Sequence, residues 1–200
     1  MNAAGIWLGR RQGALGLALL AALMAPPSRQ LLEASMPMHM LLQFPALALV
    51  GALLAGAIPQ LWRARLQAWN AHGIAGLTCA ALVLALAMVP RLLDLALLDP
   101  RVEAVKCVAL LVSGGALRLS WRAAGILVQG FFLGNTLPMM AIAGWLYETA
   151  PVRLCNAYRL GEQQWLGQAL GWVAAGTAAA WFTGVAWHMT RTPLAEQPQA

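Results

Sequence analysis

Charge is what this chain of 200 residues has least of: Asp, Glu, Lys and Arg together make up 10% of it, against roughly a quarter in a soluble domain. With 60% hydrophobic residues, water is not its main solvent. Six apolar segments of about 20 residues would use roughly 120 positions. That leaves short loops and excludes a second, soluble domain. Cysteine is scarce as well. Cys79, Cys107 and Cys155 form no CxxC pair, so neither a zinc site nor a disulfide framework is signalled. The sequence also lacks a Walker-type phosphate loop, the HExxH zinc motif, the GxSxG nucleophile elbow and a GxGxxG turn. No nucleophile can be paired with a base, and the chain reads as non-enzymatic.

The net charge of +6 does not point to nucleic acid, because the basic residues stand in ones and twos between apolar runs. The lipid bilayer is the partner that composition names. The expected fold is an all-α integral membrane protein, a bundle of about six transmembrane helices forming one domain over residues 1–200. The spans are expected at about 6–25, 36–58, 73–93, 102–119, 123–147 and 165–189. The first resembles the apolar core of a signal peptide. Leu23 at the −3 position and Pro26 just after the candidate cleavage point argue against cleavage, so an uncleaved span is expected. The fourth is the weakest, with Glu103 and Lys106 in its first turns and Gly114-Gly115 lowering its helix propensity. The stretch Arg91 to Pro100 reads as a short amphipathic piece at the interface, leucines on one side, Asp94 and Asp99 available to water.

Orientation follows from Lys and Arg, which are retained on the cytoplasmic side. With the N-terminus inside, the inner segments hold Arg10, Arg11, Arg63, Arg65, Arg118, Arg122 and Arg191 against Glu196 alone. The outer segments hold Arg29, Arg91, Arg101, Lys106, Arg153 and Arg159 against Glu33, Asp94, Asp99, Glu103, Glu148 and Glu162. This bias predicts both termini in the cytoplasm of a bacterial-type inner membrane. Trp62, Trp69, Trp121, Trp145, Trp165 and Trp187 fall near span ends, where amphipathic rings are favoured.

The densest soft-ligand feature is Met36-Pro37-Met38-His39-Met40, followed by Gln43 and Pro45. On a helix, Met36, His39, Met40 and Gln43 recur at i, i+3, i+4 and i+7 and share a face. Thioether and imidazole together suit Cu(I). Packing alone also explains them, since methionine is an ordinary apolar residue of membrane helices. Other polar and sulfur groups fall at the same, outer end: Met88, Arg91, Lys106, Cys107, Glu148, Cys155, Asn156, Tyr158, Glu162, Gln163 and Gln164. The candidate metal ligands are therefore Met36, His39, Met40, Met88 and Cys155. Cys107 and Cys155 have two readings, a disulfide if the outer face is oxidising or membership of a metal site.

The order of these features resembles the CtaG-type cytochrome c oxidase assembly factors. Met38-His39-Met40-Leu41-Leu42 is similar to that family's H-M-x-x-H-M-L-L segment, Ala87-Met88-Val89-Pro90 to its W-H-x-P segment, Glu103 to Lys106 to its E-H pair, and Tyr158 with Glu162-Gln163-Gln164 and Gly167 to its final Y-x(n)-D-Q-x-x-G segment. The likeness runs from about residue 34 to 175. Met88 stands where the family has a histidine, and Lys106 falls near another. The resemblance implies an assembly factor handling Cu(I) at the extracytoplasmic face, with a respiratory oxidase subunit as partner. The reading of the residues that needs no family is an accessory subunit of another membrane complex, without a metal site.

Overall fold

The computed structural model describes residues 3–191; Glu196, which entered the charge count, lies outside the described residues. Among these residues there are helices and no strand. In chain order the helices are α1 (Ala3–Met24), α2 (Pro26–Glu33), a π-helical turn (Met38–Gln43) running into α3 (Phe44–Gly56), α4 (Gln60–Trp69), α5 (Ile74–Ala87), α6 (Pro90–Leu98), α7 (Pro100–Trp121), α8 (Ile126–Thr149) and α9 (Leu160–Arg191). Three continuous segments are long and apolar enough to cross a membrane: Met38–Gly56, Ile126–Thr149 and Leu160–Thr190. Two bent pairs, Trp7–Met24 with Pro26–Glu33 at 69° and Gln60–Trp69 with Ile74–Ala87 at 85°, raise the number to five if each is one span. Helix α7, of 22 residues, is about 33 Å long. Glu103, Lys106 and Arg118 dilute its apolar character.

Proline sets most of the boundaries. Pro26, Pro90 and Pro100 each stand at the first position of a helix, where the missing N–H costs nothing. The expected span 73–93 is cut for this reason. Its helix ends at Ala87, and after an extended Val89, Pro90 opens α6 as a separate helix. With 14 residues, α5 reaches about 21 Å, short of the roughly 30 Å hydrocarbon core. The amphipathic stretch expected at 91–100 is α6, with Leu93 and Ala96 buried. Of its aspartates, Asp99 is exposed as expected, whereas Asp94 is half-buried and taken up by the protein. Asp99 caps α7 by accepting from Arg101 N–H at 2.8 Å, and Asp94 accepts from the 155–157 loop.

Six helices alternate in direction. Gly9 of α1 lies beside Gly56 and Gly16 beside Leu53, so α1 and α3 are antiparallel. Gly76 of α5 faces Ser120, and Gly144 of α8 faces Gly167 of α9, giving two more antiparallel pairs. Helices α3 and α7 run the same way and touch through their backbones. A Cβ added at Gly51 would fall on the Leu111 carbonyl, and one at Gly114 on the Ala48 carbonyl. The α8–α9 crossing uses the same device, Gly144 against the Gly167 carbonyl and Gly167 against the Gly144 carbonyl. In lipid there is no hydrophobic drive between helices, so close approach at small residues supplies the packing.

Gly114→Ala is expected to destabilise the bundle by about 1 to 3 kcal/mol, the ordinary cost of overpacking, seen as a lower melting temperature in detergent. Gly171→Ala, where an added Cβ meets nothing within 4 Å, should not lower the melting temperature and should raise it slightly through helix propensity.

Candidate functional site

Pro45 has no N–H to donate, and its ring crowds the carbonyl one turn back. The turn ahead of it is wound wider than an α-helix, with Phe44 N–H bonding the His39 carbonyl five residues earlier. Such π-helical turns are frequent at functional sites. Here Met36, His39, Met40 and Gln43 all face inward and are buried, whereas Met38 and Leu42 remain 41% and 49% exposed. The shared face expected from spacing is present.

Opposite it stands Lys106, from the second turn of α7. Its Nζ lies 2.7 Å from His39 Nε2, donates to Gln43 Oε1 at 3.2 Å, and pairs with Glu103 Oε2 at 2.7 Å. Side-chain exposure is 11% for Lys106 and 6% for Glu103. The Glu103 contact is ionic, its angles falling outside hydrogen-bond geometry. An ammonium offers protons and accepts none, so His39 and Gln43 take two of its hydrogen bonds and Glu103 meets its charge. Imidazole Nε2, facing this donor, must be the acceptor; the ring proton then sits on Nδ1 and is donated to the Tyr158 hydroxyl at 2.7 Å. Tyr158 O–H passes on to the Glu33 carbonyl at 3.1 Å. One chain of donors thus links α7, the π-helical turn, the loop before α9 and the end of α2.

A second set of contacts ties down that loop. Gln163, fully buried, donates to the Tyr147 carbonyl at 3.1 Å and accepts from Leu154 N–H at 2.8 Å. Tyr147 O–H donates to the Met88 carbonyl at 2.6 Å. Asp94 receives Cys155 Sγ–H at 2.7 Å, the Asn156 and Ala157 N–H groups at 2.9 and 3.1 Å, and the Asn156 amide at 3.3 Å. Burial alone would raise the Asp94 carboxyl; these donors outweigh it and hold it below its ordinary value. Burial, with the hydrogen bond to Asp94 and its charge, pushes the Cys155 thiol up to about 12.

The sequence-derived ligands divide as follows. Met36, Met40 and Cys155 belong to one buried cluster that also holds Cys107, and Met88 packs against it. All three cysteines are free thiols; Cys107 donates to Glu103 at 3.3 Å and Cys155 to Asp94, so the two are directed to different carboxylates. His39 has both ring nitrogens engaged. A Cu(I) ion on Nε2 would stand where the Lys106 cation now stands, and one on Nδ1 would displace its proton and Tyr158. The donor set as built does not fit Cu(I) at His39. Among the described residues no three His, Cys, Asp or Glu side chains gather to hold an ion. Sequence spacing had placed Lys106 and Tyr158 at this end but carried no sign that both converge on His39, 67 and 119 residues away.

No family model matches the chain, and no curated protein or solved structure matches it either.

Lys106→Met, which strands the Glu103 carboxylate in the interior, should cost about 3 to 5 kcal/mol and lower the melting temperature by roughly 10 °C. Adding Glu103→Gln should restore most of the loss. The Asp94 clamp has its own pH window. A depressed carboxyl stabilises above its unfolded value, near pH 4, and that contribution is lost as pH falls through the folded value. A raised thiol stabilises below its unfolded value, near pH 9, and that contribution fades as pH climbs toward about 12. Maleimide labelling of Cys155 is therefore expected to be slow from pH 5 to 8. Asp94→Asn should accelerate it by on the order of tenfold.

Proposed function

We propose that this chain is a non-enzymatic accessory protein of a larger membrane complex, crossing the inner membrane six times with both termini in the cytoplasm and docking a partner helix on α9. The alternating directions of α1, α3, α5, α7, α8 and α9 support the six crossings, and the arginine-rich end supports the orientation. The observation that carries the docking role is a face of α9. Gly176, Ala180 and Gly184 follow one another at i, i+4 and i+8 and are exposed, and a Cβ at either glycine would meet nothing within 4 Å. At the two tight crossings, Gly51 with Gly114 and Gly144 with Gly167, the glycines are instead covered by another backbone. An uncovered small-residue face is what a partner helix packs against in lipid. The Lys106 network holds the opposite end of the bundle closed, and on this reading it is a lock, not a metal site.

A second reading, the Cu(I)-handling assembly factor that the resemblance implies, has one observation in its favour. Met36, Met40 and Cys155 belong to one buried cluster, and Met88 packs against it. It requires Lys106 to withdraw from Nε2 before an ion enters.

One preparation tests both readings. Protein purified from its native membrane in mild detergent should carry a stoichiometric partner. Gly176→Leu with Gly184→Leu should remove that partner without lowering the melting temperature. Loss of nothing on this double substitution would sink the docking reading. Retention of about one Cu(I) per chain under reducing conditions, abolished by His39→Ala, would establish the second reading in place of the lock.

A further inference from the structure

The end of the bundle away from Lys106, whose arginines support the orientation, also carries a groove that neither reading uses. Arg10, Arg11, Arg63, Arg65, Arg118 and Arg122 all lie there, while every described carboxylate lies at the other end. Between α3 and α7, an open groove of about 590 Å³ runs down from this end, with Leu49, Ala52 and Leu117 along its length and Arg118, Trp121 and Arg122 at its mouth. Arg118 is fixed in place. It donates to the Ala52 carbonyl at 2.8 Å and to Gln12 Oε1 at 2.7 Å, which occupies two of its five N–H donors. Arg122 stands exposed four residues on, on the same helix face. Two like charges at i and i+4 repel each other, and no described acid relieves them. Near them, the Arg63 Nε–H is buried with no hydrogen-bond partner among the described residues.

We propose that this groove binds one anionic phospholipid, its phosphate held between Arg118 and Arg122 and one acyl chain lying along Leu49, Ala52 and Leu117. Guanidinium forks match phosphate oxygens in geometry as well as charge. Trp121 at the mouth belongs to the headgroup level, where indole rings are favoured. Selectivity follows from the missing carboxylates. A zwitterionic lipid would bring its ammonium among unpaired arginines with nothing to accept it, whereas an anionic headgroup adds only acceptors. The site stands whichever way the chain is oriented and whether or not α9 docks a partner.

The test uses the full chain in detergent, exposed to an equimolar mixture of dioleoylphosphatidylglycerol and dioleoylphosphatidylcholine and read by native mass spectrometry. One phosphatidylglycerol should be retained, preferred by at least about fivefold. Arg122→Gln, an exposed position that leaves the fold intact, should reduce the preference several-fold, and Arg118→Gln with Arg122→Gln should remove it. Leu49→Trp, which fills the groove and keeps both arginines, should release the lipid. Arg65→Gln on α4 should change nothing. Equal retention of the two lipids, a preference that survives the double substitution, or an equal loss with Arg65→Gln would overturn the proposal, the last by showing diffuse charge in place of a groove.

Discussion

A buried ammonium is tolerated only where its donors and its charge are met, and the placement of Lys106 ties together the elements of one whole end of this bundle. Its partners are His39 and Gln43 from the π-helical turn and Glu103 from its own helix. Through His39 the same chain of donors reaches Tyr158 and the end of α2. That reach depends on how closely α3 and α7 approach. Gly51 lies eight residues beyond Gln43, Gly114 eight beyond Lys106, and the two helices run in the same direction. The glycine contact two turns further on therefore sets the helix separation across which the lysine extends. Larger residues at the crossing would spread the helices and leave the charge short of its acceptors, at a cost larger than the packing loss itself.

The two ends of the molecule solve opposite electrostatic problems. At the Lys106 end, cations and carboxylates occur together, and the buried ones neutralise each other inside the protein. At the other end the arginines lie without acids, and their charge is met from outside, by lipid phosphates and water. Two arginine–tryptophan contacts fit this division. Arg11 stacks 3.5 Å over the Trp7 ring and Arg65 lies 5.3 Å from that of Trp62, so the cations find partial compensation in ring faces where carboxylates are lacking. An internally neutral end can be closed and rigid. An end whose charge depends on its surroundings is held in place by the membrane interface.

Much of the helical content was legible in the sequence because long apolar runs report burial in lipid directly. The turn of Met36, His39, Met40 and Gln43 was legible too, since its spacing marks one face. The third span was not. Hydropathy continues through Met88 and Leu92-Leu93, and nothing in composition distinguishes a helix that extends past Pro90 from one that restarts there. Asp94 looked like a solvated charge because its partners lie some 60 residues away in a loop with no pattern of its own. The link between Lys106 and His39 was hidden for a similar reason. Each is readable as a span-end polar residue, and only the parallel packing of α3 and α7 brings them face to face. The spacing of Gly176, Ala180 and Gly184 was present, but in a helix rich in Ala and Gly on several sides, sequence does not tell which side another helix already covers.

Glycine shows best how the bundle is held and where it stops. Gly51 with Gly114, and Gly144 with Gly167, are used up in crossings, and each crossing sits near a set of buried polar contacts that a wider separation would break. For the α8–α9 pair, those contacts are Gln163 on the Tyr147 carbonyl and Tyr147 on the Met88 carbonyl, which anchor the pair to the end of α5. Past Gly167, α9 runs on for more than twenty residues with Trp172, Phe182 and Trp187 exposed; Trp181 Nε1–H donates to Gln129 Oε1 of α8 at 3.3 Å, while an added Cβ at Gly176 or Gly184 meets nothing within 4 Å. Lipid gains nothing from glycine at those positions, and the helix loses propensity by having it there. The cost is offset only when another backbone comes close, which makes the far half of α9 the part of the molecule whose sequence is least explained by its own fold.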